Sequence, residues 1–108
     1  MSLYGDYIKA REGREIIEDE DGFATYKIFG EECYIADVYV RPESRKNLKS
    51  WKYIDQIREI AREKGCKCLT TTVVPVLEGS TFSTMAILQY GFRLHSSKEN
   101  MIIFVKEL

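Results

Sequence analysis

One stretch limits what this chain can fold into. From Cys33 to Gly65 an apolar run (Cys33 to Val40) leads through a polar turn (Arg41 to Lys49) into a helical pattern. The run is aromatic and β-branched and is broken only by Asp37, which reads as a central strand covered on both faces. Pro42 ends it. Beyond the turn Tyr53, Ile54, Ile57, Ile60 and Ala61 recur at helical spacing, with Lys52, Asp55, Arg58, Arg62 and Glu63 on the other side. Asn47 suits an N-cap and Gly65 a C′ position, and Arg62 and Lys64 fall where they complement the helix dipole. A second apolar run from Cys68 to Val76 follows directly, so the unit reads as a β-α-β crossover. Its helix N-terminus opens onto the turn, which is a place for an anion.

This unit resembles the coenzyme-binding core of the GNAT superfamily of N-acetyltransferases. In that family a strand ending in a Val-x-Pro-like turn leads into Arg/Gln-x-x-Gly-x-Gly/Ala, whose backbone amides hold the pyrophosphate of acetyl-CoA. Val40-Arg41-Pro42-Glu43-Ser44-Arg45 matches the approach, with Arg45 at the first basic position, while Leu48 and Ser50 stand where the glycines belong. A later segment, Ala86-Ile87-Leu88-Gln89-Tyr90-Gly91-Phe92, looks like the family's last helix running into Gly-Phe and a strand. In element order the resemblance spans residues 14 to 108.

The resemblance implies an acetyl-CoA-dependent transfer of an acetyl group to an amine, on an α/β (α+β) fold with a mixed, mostly antiparallel sheet. It places the pantetheine arm against the backbone of Tyr39 and Val40, and the pyrophosphate at Arg45, Lys46, Asn47, Leu48, Lys49 and Ser50. Asp37 falls near the family's general base. A carboxylate in an apolar strand must be paired or hydrogen-bonded, so Asp37 has a second reading as a structural partner of Lys27 or Arg14. The tyrosine that the family often uses as acid aligns with Ile87, and Tyr90 lies on a different helical face and reads as core. Ser80 and Ser83 stand where the family contacts coenzyme, and a cap and a packing residue explain them equally well. Leu48, Ser50 and Ile87 favour a rival function, a non-catalytic GNAT-like binding or regulatory module.

The rest of the chain fits one domain of 108 residues, with 44% hydrophobic and 12% aromatic content. Sixteen basic residues against 17 acidic ones, a net charge of -1, give no general drive toward nucleic acid or anionic membrane. The three cysteines, Cys33, Cys66 and Cys68, form no Cys-x-x-Cys pair, and with His95 the single histidine no Cys/His metal cluster is expected. The polar N-terminus does not read as a signal peptide, and no apolar run approaches the ~20 residues of a membrane span. A cytoplasmic chain with reduced thiols is the expectation.

Residues 1 to 14 are either a short helix ended by Gly13 or an extended segment. Glu15 to Glu18, Phe23 to Phe29 and the central strand read as an antiparallel meander turning at Asp21-Gly22 and Gly30-Glu31-Glu32. The acidic run Glu18-Asp19-Glu20-Asp21 reads as a solvated hairpin end. Trp51 reads as covering the turn. Phe82, Met85, Ala86 and Gln89 share a face of a helix starting at Ser80 or Thr81, and Phe92 to Ser96 and Met101 to Lys106 form a last hairpin. The family usually has a further strand and two helices before the hairpin that begins here near Arg14. Their shielding role implies that a homodimer covers the sheet.

Overall fold

A computed structural model describes residues 2–43, 50–74 and 80–108. In chain order these form α1 (Leu3–Glu12), β1 (Glu15–Glu18), β2 (Gly22–Phe29), β3 (Glu32–Val40), α2 (Ser50–Glu63), β4 (Cys68–Val73), α3 (Ser80–Tyr90), β5 (Arg93–Lys98) and β6 (Met101–Glu107). The six strands make one sheet in the order β1-β2-β3-β4-β6-β5. Only β3 and β4 pair in parallel, across the α2 crossover, and every other ladder is antiparallel. The mixed α/β architecture and the meander are as the sequence implies.

α2 forms because its apolar residues fall on one stripe. Tyr53, Ile54, Ile57 and Ala61 are buried against Ala24, Cys33, Ile35, Val40, Leu69 and Val73 of the sheet. The helix ends at Gly65, whose φ of 82° is a left-handed conformation that a side chain would strain. α3 packs on the same face of the sheet. Here the expected stripe is corrected: Ile87 and Tyr90 lie against the core, whereas Met85 and Gln89 are exposed.

The open question of the N-terminus resolves to a helix. Ser2 caps α1 by accepting from the Gly5 amide at 2.9 Å, and Gly13, at φ 68°, closes it by donating to the Lys9 carbonyl. α1 lies on the face opposite α2. Its Tyr4 ring meets Phe23 at 5.2 Å, and Phe23, Thr25 and Lys27 alternate with the core residues Ala24 and Tyr26.

Two further expectations change. The terminal hairpin turns at Glu99 and Asn100, with Glu99 at φ 55°, so β5 runs to Lys98. The central strand is not covered on both faces: Cys33 and Ile35 are buried, but Asp37, Val38 and Tyr39 are exposed. The cause is a bulge. Tyr26 stands opposite Ile35 and Thr25 opposite Asp37, so Ala36 has no residue facing it on β2. The extra residue reverses the alternation, and Asp37 and Tyr39 turn to the α1 face beside Thr25 and Phe23.

Candidate active site

β3 and β4 run together only briefly. Their register extends from Glu32↔Cys68 to Ile35↔Thr71, while β3 continues to Val40 along β2 and β4 continues to Val73 along β6. At the last shared pair the Thr71 hydroxyl donates to the Ile35 carbonyl at 3.1 Å. Past that point the two central strands have separate partners, and the sheet opens between them. Asp37, Tyr39 and Val40 all lie on the β3 side of this opening.

A polar strut fixes the adjacent end of the crossover. The Asp19 carboxylate accepts from the backbone amides of Asp21 (2.9 Å) and Gly22 (3.2 Å), which shapes the β1–β2 turn. The same carboxylate accepts from the Tyr53 hydroxyl at 2.5 Å and from Lys52 at 2.6 Å, and Lys52 also reaches Asp21 at 2.8 Å. The turn in turn holds the end of β3. Arg41 donates to the Asp21 carbonyl at 2.7 Å, and a Cβ on Gly22 would lie 1.9 Å from the Tyr39 carbonyl oxygen. The acidic run is therefore not merely solvated: Asp19 and Asp21 tie the first turn of α2 to the mouth of the opening. Hydrogen bonds from Lys52 and Tyr53 hold the Asp19 carboxyl well below the usual carboxylate range. Burial, then the Asp19 hydrogen bond, push the Tyr53 phenol up.

Asp37 sits on the α1 face with its side chain 47% exposed. Its Oδ2 accepts from the Arg14 guanidinium and, at 3.0 Å, from the Thr25 hydroxyl. Arg14 Nη1 also donates to Thr25 Oγ1 at 3.2 Å, and Nη2 pairs with Glu12. Hydrogen bonding to Glu12 and, more weakly, to Asp37 holds the Arg14 pKa up against its partial burial. Of the two structural partners expected from sequence, Arg14 is the one observed, and Lys27 instead donates to the Glu12 carbonyl at 3.3 Å. Both Arg14 and Thr25 address Oδ2, so Oδ1 has no partner among the described residues.

The other predicted site residues divide by position. Ser50 is the first residue of α2. Arg45, Lys46, Asn47, Leu48 and Lys49 lie outside the described residues, and so does the expected N-cap. Tyr90 is half-buried on the α2 side; its hydroxyl donates to Asp55, Trp51 meets its ring edge-on at 5.8 Å, and Lys106 lies over it at 5.7 Å. Burial and then the Asp55 hydrogen bond push the Tyr90 phenol up to about 12. The site residues that sequence reasoning missed are Thr25, the second holder of Asp37, and the Asp19–Lys52–Tyr53 strut. Among the described residues no group of three or more His, Cys, Asp or Glu could hold a metal ion, and no helix is long and apolar enough to cross a membrane.

The profile of the acetyltransferase (GNAT) family matches residues 4–81. This chain belongs to the GNAT family. The whole architecture agrees with that membership. The chain resembles the PaiA N-acetyltransferase of Thermoplasma acidophilum, solved with coenzyme A, at a TM-score of 0.78 and 16% identity, covering 98% of this chain and 69% of that one. It resembles a GNAT family acetyltransferase of Elizabethkingia anophelis with acetyl-CoA bound at a TM-score of 0.75 and 18% identity, covering 95% and 82%. It also resembles the Bacillus subtilis acetyltransferase solved with CoA at 0.73 and 16%, covering 95% and 83%. At these identities the likeness is one of fold. Among curated proteins none matches this chain.

Proposed function

We propose that this GNAT chain transfers the acetyl group of acetyl-CoA to a primary amine. The observation that carries the reading is the end of the β3–β4 ladder at Ile35↔Thr71, beside the first turn of α2. An opening between two central strands, next to a helix N-terminus, offers main chain to a pantetheine amide and backbone amides to a phosphate. Tyr39 and Val40 would line the arm, and Arg45, Lys46, Asn47, Leu48, Lys49 and Ser50 would meet the pyrophosphate. The bound coenzyme supplies an activated acetyl thioester.

The protein's own part is orientation and proton handling. Arg14 and Thr25 fix one oxygen of Asp37 and leave the other without a partner among the described residues. In the transfer an N–C bond forms and the C–S bond breaks. The amine gives up one proton, taken by Asp37 directly or through a water, and the departing thiolate gains one from solvent. Ile87 stands where the family tyrosine would deliver that proton, so thiolate departure without a side-chain acid is part of the reading.

Support for a homodimer comes from the edge strand β5, where Leu94 is 61% exposed, and sedimentation equilibrium at twice the monomer mass would establish it. The free cysteines, with Cys33 and Cys66 buried, suit a reducing cytoplasm. The function itself is tested by following free thiol release from acetyl-CoA with a panel of amines. Amine-dependent release, strongly reduced in Asp37→Asn, is the expected result. Coenzyme binding without release for any amine would favour the rival reading as a binding module.

A further inference from the structure

Three threonines follow one another on β4, and the hydroxyl hydrogens of two of them are committed. Thr70 donates to the Glu32 carboxylate at 2.8 Å, and Thr71 donates to the Ile35 carbonyl at 3.1 Å. Thr72 is the first residue of β4 past the last pair with β3. Its Oγ1 lies 3.0 Å from the hydroxyl of Tyr34, which crosses from β3 to meet it. Tyr34 is the register partner of Thr70, so its phenol leans two residues along β4 toward the opening. Whichever of the two hydroxyls donates, one hydrogen of the pair has no acceptor among the described residues. Both side chains are half-buried, and that hydrogen is left to solvent or to an acceptor that a ligand brings.

The pair shares a face with Asp37. Cys33 and Ile35 of β3, and Leu69 and Val73 of β4, are buried against α2, so the alternate residues Tyr34 and Thr72 project to the other side. Unbroken alternation would put Asp37, three residues from Tyr34, on the α2 face. The bulge at Ala36 reverses it and brings carboxylate and hydroxyl pair to one side of the sheet. Asp37 stands on the β3 limb of the opening and Thr72 on the β4 limb, with Tyr34 spanning the closed end between them. An arm laid along Val40 and Tyr39 from the phosphate turn points its thioester toward this closed end. From Val40 to Ile35 is a run of five residues, about 17 Å of extended strand.

We infer that the Tyr34–Thr72 hydroxyl pair donates a hydrogen bond to the thioester carbonyl oxygen at the closed end of the opening, and so serves as an oxyanion donor in acetyl transfer. This rests on the acetyl-transfer reading of the same opening. As the amine adds, the carbonyl oxygen gains negative charge, and a donor fixed in place beforehand stabilises that charge more than it stabilises the neutral carbonyl. The second hydroxyl strengthens the first, because a hydrogen bond donated to its partner's oxygen polarises the partner's O–H. The O–H bond stays intact throughout. The amine proton still goes to Asp37 and the thiolate still takes its own from solvent, so the pair acts on the carbonyl while Asp37 acts on the amine.

Infrared spectroscopy of acetyl-CoA with an isotopically labelled carbonyl, bound to the protein without any amine, reads this hydrogen bond directly. Calorimetry with acetyl-CoA and with CoA accompanies it. In the parent the carbonyl stretch should fall on binding, and in the double variant Tyr34→Phe, Thr72→Val most of that fall should be lost. The double variant should also bind acetyl-CoA about three- to tenfold more weakly with CoA affinity unchanged, and its amine-dependent kcat should drop about 10²-fold or more. Each single variant keeps one hydroxyl hydrogen without its polarising neighbour and should give an intermediate stretch, so the singles carry the test where the double does not fold. Thr72→Ser, which keeps the hydroxyl, should match the parent. A stretch unmoved by all of these variants overturns the inference, and so does an equal loss of CoA and acetyl-CoA affinity, which would make the pair a structural brace. Either result with CoA still bound by the parent removes the hydroxyl pair alone. A parent that binds neither ligand removes the acetyl-transfer reading together with it.

Discussion

Replacing Tyr53 by Phe and Asp19 by Ala, singly and together, tests whether the strut at the start of α2 is a coupled unit. Tyr53 is 1% exposed, and its hydroxyl donates to Asp19 at 2.5 Å. In Tyr53→Phe the Asp19 carboxylate keeps Lys52 and two backbone amides, so nothing is stranded, and the loss is one hydrogen bond to a charged acceptor, about 1.5 kcal/mol. Asp19→Ala is worse, because it leaves the Tyr53 hydroxyl buried without its partner, about 1–3 kcal/mol, and also unties the turn amides for about 1 kcal/mol more. In the double variant there is no stranded hydroxyl. Its cost should therefore fall short of the sum of the singles by about 1–2 kcal/mol. Urea unfolding followed by circular dichroism reads all three, and Tyr53→Phe should lower the thermal midpoint by about 6 °C in a domain of this size. Strict additivity, or Asp19→Ala costing no more than Tyr53→Phe, would refute the coupling. The pH dependence has a definite sign. The folded pKa of Asp19 is depressed, so its stabilisation is present above the unfolded carboxylate value of about 4 and is lost as pH falls toward the lower folded value. The parent should lose stability between about pH 4 and 2, and Asp19→Ala should lose less.

Asp37→Asn should lower amine-dependent thiol release about 10²–10⁴-fold with CoA binding unchanged, as expected for loss of a general base, and a loss of CoA binding instead would make Asp37 structural. Arg45→Glu should raise the CoA dissociation constant about tenfold or more, ~1.4 kcal/mol, and an unchanged constant would move the pyrophosphate site. Leu48→Gly should strengthen CoA binding if that side chain keeps phosphate from the backbone, and weaker binding would mean that Leu48 packs productively. Burial pushes the Cys33 thiol up to about 12, so brief iodoacetamide treatment at about pH 8 should leave it unmodified by peptide mass spectrometry, and rapid labelling would contradict its burial.

Much of the architecture was legible because it rests on periodicity. The Tyr53, Ile57 and Ala61 stripe, the Gly65 stop and the Cys68 run specify the crossover, since an apolar stripe and a strand-forming run on either side of a helix have few ways to bury themselves. The facing of Asp37 was not legible. A single unpaired residue at Ala36 reverses the alternation of β3, and a bulge is set by the pairing of two strands rather than by either sequence alone. The strut was hidden for a related reason. Asp19 and Tyr53 are far apart in the chain, and an acidic run carries no local sign that a lysine and a tyrosine will fold back onto it. The pairing of Arg14 with Asp37 was legible because Arg14 leads into the meander that ends in β3, and the choice between Arg14 and Lys27 needed the register. Ile87 packs against the core as an ordinary helix residue, in keeping with its chemistry.

The central claim is that the opening past Ile35↔Thr71 and the first turn of α2 form a coenzyme site, and isothermal calorimetry with acetyl-CoA tests it most directly. The account predicts saturable one-to-one binding tighter than about 1 mM, −4.1 kcal/mol, weakening steeply as salt rises because salt screens charge pairs between basic side chains and phosphate over about 10 Å at 0.1 M. No saturable heat at any salt concentration, with the protein folded by circular dichroism, would contradict it.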